Sequence, residues 1–137
     1  MKTNKLRTTA IILSMFVGLA AIYGGWMLIA DPSGQTLQFP LELLNDTPFT
    51  DYLIPGLILF IIIGFYSFLV AIFSMSKFKN YTWLIIINGC LLIGWLTIEI
   101  IMNKSFFLPE YHYPLYAIGA LLIIIGYFEK KLSIKHN

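Results

Sequence analysis

Charged side chains are scarce in this chain: Asp, Glu, Lys and Arg make up 12% of its 137 residues, against 58% hydrophobic. So little charge cannot clothe a soluble globular surface of ordinary composition. The single cysteine, Cys90, lies inside an apolar run, which excludes an intrachain disulfide framework, a CxxC redox pair and a cysteine-built metal site. Only two histidines occur, His112 and His136, and the second sits in the terminal tail. GxSxG, HExxH, a P-loop and a glycine-rich dinucleotide fingerprint are all missing. The net charge of +2 is not gathered into a basic patch with interleaved aromatics, so a nucleic-acid partner is not indicated.

What the chain does have is long apolar runs. Four are evident, over residues 8–30, 52–75, 81–102 and 111–128. A helix needs ~20 apolar residues to cross a ~30 Å hydrocarbon core, and the first three runs meet that length. The fourth is the shortest and carries Pro114, which suits a first helical turn. The expected fold class is therefore all-α: a four-transmembrane-helix bundle forming one membrane domain over 1–137, with a short interfacial helix in a first outer loop at 31–51. No stretch is left for a soluble domain of even ~50 residues. A cleavable signal peptide competes for the start, because Lys2, Lys5 and Arg7 precede an apolar stretch containing Gly18-Leu19-Ala20. Hydrophobicity continues unbroken to Ala30, which favours a span.

Basic residues orient the spans. Lys2, Lys5, Arg7, Lys77, Lys79, Lys130, Lys131 and Lys135 fall on one side, and Lys104 alone on the other. By the positive-inside rule both termini are cytoplasmic. Asp31, Glu42, Asp46, Asp51 and Glu110 give the opposite face a negative field. Trp26, Tyr52, Tyr81, Trp83, Tyr111, Tyr113 and Tyr127 lie near span ends, where amphipathic rings favour the headgroup zone.

Small residues recur at helical spacing: Ala10, Ser14, Gly18, Ala21 and Gly25 in the first span, and Gly56, Gly64, Ser67, Ala71 and Ser74 in the second. The fourth has Gly119 and Gly126, with Ala120 beside the first. Such seams let helix backbones approach closely in lipid.

In the first outer loop, Asp31-Pro32-Ser33-Gly34 has the residue choices of a type I turn. Phe39-Pro40-Leu41-Glu42-Leu43-Leu44 predicts one or two helical turns lying on the interface or capping the bundle. Thr47-Pro48 and Asp51 are two candidate helix starts, and Pro55 either sits in the first turn of span two or kinks it. Gly24-Gly25, Asp31-Pro32-Ser33-Gly34, Pro40-Leu41 and the run Pro48-Phe49-Thr50-Asp51-Tyr52-Leu53-Ile54-Pro55-Gly56 resemble a family of small, uncharacterised four-helix bacterial membrane proteins. That resemblance implies the fold only, with no activity, cofactor or catalytic residue; the expected location is a bacterial cytoplasmic membrane. Small multidrug resistance transporters also have four spans, yet their glutamate lies deep in the first span, where this chain has none.

Polar residues inside the spans are the candidates for chemistry, because they are costly in lipid and tend to face protein or water. Asn88, Trp95 and Glu99 share one face of span three at offsets of seven and eleven residues. Glu99 lies ~5 Å inside the outer boundary by helical rise, close enough to snorkel outward or to bond to the first loop. Asp31, Asp51, Glu110 and His112 form a candidate outer-face cluster. Three functions compete: a non-enzymatic scaffold or accessory subunit acting through helix packing, a small cation or proton transporter using Glu99, and an intramembrane enzyme acting on a lipid or quinone. No metal or cofactor is called for, and the expected partners are the bilayer and a second copy or another membrane protein.

Overall fold

The computed structural model describes residues 2–135; His136 falls outside them. The described chain has no strand and consists of four long helices: α1 (Lys2–Ala30), α2 (Leu53–Met75), α3 (Tyr81–Met102) and α4 (Pro109–Lys135). Each contains a stretch long and apolar enough to cross a membrane, of 27, 23, 22 and 24 residues. In the bundle α1 packs beside α2 and α4, and α3 closes the square by packing beside the same two. Both termini and the α2–α3 connection lie at one end, called here the terminal end. The first loop and the α3–α4 connection lie at the other, the loop end.

The small-residue seams are where the helices touch. Every seam residue of α1 and α2 is buried, with Gly18 against Gly64 and Phe68 and Gly25 against Gly56 and Phe60. Gly119 and Gly126 of α4 meet Gly89, Ile93 and Ile86 of α3. Ala120 departs from expectation: it is exposed, being one residue, or ~100°, around the helix from Gly119.

Differences from the sequence-based boundaries follow from local chemistry. Helix α4 starts at Pro109 rather than at residue 111, so Pro109 takes the opening position and Pro114 lies in the second turn. It also runs seven residues beyond Phe128, which brings Glu129 into the bundle. Pro55 sits in the first turn of α2. The kink-free start is followed by a π-helical segment, Ile58–Phe65, which hydropathy gave no sign of.

The first loop is ordered by its own polar groups. Gly34 N–H donates to Asp31 O at 3.0 Å, closing the expected turn, and Gly34 has φ +79°, a region open to glycine without strain. A single 3-10 turn forms at Leu41–Leu44, behind Pro40. Thr47 starts no helix; its hydroxyl instead donates to Leu44 O at 2.6 Å. Tyr52, expected at the headgroup zone, is 2% exposed and packs with Leu28 and Leu44. Its hydroxyl donates to Pro40 O at 2.8 Å, so it pins the loop down rather than anchoring in lipid. Trp26, Trp83, Tyr113 and Tyr127 do face outward, whereas Tyr81 is half-buried and Tyr111, though part-exposed, lies beside Glu99.

Candidate functional site: a cleft headed by Glu99 and His112

Polar side chains in the bundle interior fall into separate levels. At mid-height Asn88 is 1% exposed, and its amide N–H donates to Ser14 Oγ at 3.2 Å. Its carbonyl accepts from Ser67 Oγ at 3.0 Å, a hydroxyl that also reaches Ile63 O at 2.6 Å. One asparagine thus ties three helices together with its side chain largely satisfied. That arrangement is a structural bracket. Between it and the loop end lies an apolar layer of Val17, Ala21, Ile63, Leu92 and Leu96, closed by the face of Trp95.

The cleft opens at the loop end and reaches down to that layer, since Val17, Ala21, Ile63, Leu92 and Trp95 all line it. It holds about 710 Å³ and is walled by α1, the first loop, α2, the end of α3 and the start of α4, with Val17, Tyr23, Leu59, Leu92 and Leu115 among its apolar lining. Ligand sites commonly hold ~300–1,000 Å³, apolar with a few polar groups placed to orient the occupant. Here the polar groups include Glu99, His112 and Glu110, with Gln38 and Ser105 also in the lining.

Glu99 neither bonds to the first loop nor lies fully in the open. Its Oε2 is 3.2 Å from His112 Nε2, with the histidine side chain 1% exposed and the glutamate 17%. The contact is off the line of a hydrogen bond, and the buried indole N–H of Trp95 is likewise unpartnered beside the same carboxyl. His112 is held by the helix start. Leu108 N–H lies 3.1 Å and Leu108 O 3.2 Å from Nδ1, so this nitrogen has a backbone partner in either tautomer. Nε2 is the ring nitrogen that faces the carboxyl. Thr97 Oγ1 and Tyr116 Oη, 2.9 Å apart, brace α3 to α4 one turn deeper.

The expected outer-face cluster divides. His112 and Glu110 line the cleft with Glu99, but Asp31 and Asp51 are occupied in the loop. Asp31 accepts from Ser33 Oγ at 2.5 Å and from Thr36 N and Oγ1 at 3.0 and 2.7 Å, bonds that hold its carboxyl down at about 2. Asp51 accepts from Leu53 N–H at 2.9 Å at the start of α2. The loop is tied to α3 by Asn103, whose side-chain N–H donates to Leu43 O at 3.0 Å. Among the described residues no group of three or more His, Cys, Asp or Glu is arranged to hold a metal.

Fold and site together define a multi-pass helical membrane protein with an apolar, acid- and imidazole-headed cleft at one end of its bundle. No family model, curated protein or solved structure matches the chain.

Proposed function

We propose that this chain is a bacterial cytoplasmic-membrane protein with both termini cytoplasmic, and that it binds an amphiphile of the outer leaflet in the cleft headed by Glu99 and His112. The observation that carries the reading is the cleft itself: about 710 Å³ within largely apolar walls, headed by the Glu99 carboxyl beside an imidazole nitrogen and an indole N–H that have no hydrogen-bond partner of their own. A hydroxyl headgroup entering there would accept from Trp95 and donate to Glu99. Glu110 in the lining and Glu42 nearby on the first loop oppose an anionic head, so the ligand class is a neutral amphiphile such as a diacylglycerol or a prenyl quinol.

Two features favour binding over the alternatives. The glycine seams that would serve a scaffold are consumed by packing within the chain, Gly25 on Gly56 and Gly89 on Gly119. Conduction would need a polar path onward from the cleft, whereas its floor is apolar and Asn88, the next polar side chain below, is engaged by two serines.

Trp95 supplies the test, since it lines the cleft while Trp26 and Trp83 face outward. In a Trp26→Phe, Trp83→Phe protein in lipid nanodiscs, brominated diacylglycerol should quench Trp95 fluorescence saturably and at a much lower mole fraction than brominated phosphatidylglycerol. Glu99→Gln together with His112→Ala should remove the saturable phase. Quenching that rises linearly and equally for both lipids would refute the reading.

A further inference from the structure

At the terminal end, each of the four helices contributes one polar side chain to a single level. Ala10, Val70, Ile85 and Ile125, from α1, α2, α3 and α4, pack in one apolar cluster. Residues three or four apart on a helix share a face, so the next turn toward the terminal end carries Arg7, Ser74, Tyr81 and Glu129 beneath that cluster. Glu129 is 1% exposed and Ser74 fully buried. Both carboxyl oxygens of Glu129, Nε of Arg7 and Oγ of Ser74 are buried without a hydrogen-bond partner among the described residues. The Tyr81 hydroxyl lies beside both Glu129 and Arg7. Lys130, the adjacent charge on α4, is turned away over the ring of Trp83, 3.8 Å from its centre.

Leaving a buried polar atom unsatisfied costs ~1–3 kcal/mol, and more when it is charged, so four such atoms at one level call for an occupant. Its chemistry is constrained from both sides. The fixed charge of Arg7 opposes a metal cation, and Glu129 opposes an anion. Water fits both, accepting from the guanidinium N–H and donating to the carboxyl oxygens, with Ser74 and Tyr81 able to do either. We propose that Arg7, Ser74, Tyr81 and Glu129 form a hydrated proton-binding site inside the terminal end of the bundle, with Glu129 as the group that takes and releases the proton. The groups beside Glu129 are Arg7 from α1 and Tyr81 from α3, with Ser74 of α2 at the same level. The hydroxyls relay the proton through bound water. The site shares no residue with the outer cleft and does not depend on what that cleft binds.

Infrared difference spectra between neutral and acidic buffer test it, on protein in nanodiscs carrying Glu99→Gln so that the other interior carboxyl is silent. A carboxylic-acid C=O band should appear, shift in heavy water, and be lost when Glu129→Gln is added. Radical footprinting of the wild-type chain gives a second readout that survives any folding failure of the variant. Bound water should make Tyr81 label severalfold faster than Tyr66, which is comparably shielded and bonded to Leu84 O. Identical infrared spectra with and without Glu129, or Tyr81 labelling no faster than Tyr66, would overturn the proposal.

Discussion

Replacing glycines by alanine separates packing from helix propensity in this bundle. A Cβ on Gly25 would lie 2.7 Å from Phe60 N, 2.8 Å from Phe60 Cβ and 2.9 Å from Gly56 O. Reaching the 3.4 Å of ordinary contact from 2.7 Å requires a shift of 0.7 Å, and the obstructing atoms are mainly backbone, so α1 and α2 must part. Overpacking of this kind costs ~1–3 kcal/mol. A Cβ on Gly94 in α3 would meet nothing within 4 Å. Both changes gain the same helix propensity, ~1 kcal/mol, which cancels in the difference. Gly25→Ala should therefore be ~1–3 kcal/mol less stable than Gly94→Ala. Gly18→Ala should fall between, because the nearest atom there, at 3.0 Å, is on the Phe68 ring, which can turn aside. Reversible unfolding in mixed micelles, followed by circular dichroism at increasing SDS fraction, measures the ranking. Stabilities of Gly25→Ala and Gly94→Ala equal to within ~0.5 kcal/mol, the usual error of such comparisons, would refute the seam geometry.

Other outcomes follow from the same contacts. Asn88→Val removes bonds to two neighbouring helices and should cost ~1–2 kcal/mol in the same assay, given ~0.6 on average and up to ~1.7 for one such bond in a membrane. Tyr52→Phe loses the bond to Pro40 O and should make the 31–51 loop cleave faster in limited proteolysis, with the spans intact. Asp31 is depressed from 3.8 to about 2 by its hydrogen bonds, so its hold on the loop is complete above 3.8 and fails as pH falls through about 2. The Thr36 amide resonance should report that midpoint. Reporter fusions after Lys79 and after Asn137 should read as cytoplasmic and one at Gln35 as external.

Composition alone was enough to locate the spans, because a run of apolar residues is a local signal and α3 begins and ends where hydropathy says. The seams were legible for the same reason. Pairings between helices were not. Glu99 was evident as a costly residue, but its partner was sought in the first loop and lies in α4. A usable signal existed: α3 and α4 form an antiparallel hairpin around Ser105, so residues at similar distances from that tip meet. Glu99 with His112, Thr97 with Tyr116 and Gly89 with Gly119 all obey it. Glu129 gives no signal in sequence because a carboxylate after Phe128 reads as the end of a span, and only the tertiary packing of α1 and α3 encloses it. Tyr52 departs from expectation because an aromatic at a span end looks the same in sequence whether a loop folds over it or not.

The π-helical stretch Ile58–Phe65 gives one wall of the cleft a different stiffness from the rest. Leu59 and Ile63 lie within it and line the cavity, while the facing wall is regular α-helix from α3 and α4. Such wider turns are rare, occur mostly as short insertions within α-helices and are frequent at functional sites. A guest of larger girth would thus be accommodated by rewinding α2, leaving the Glu99–His112 head fixed. Selectivity would then be strict for what sits at the polar end and lax for the thickness of the tail.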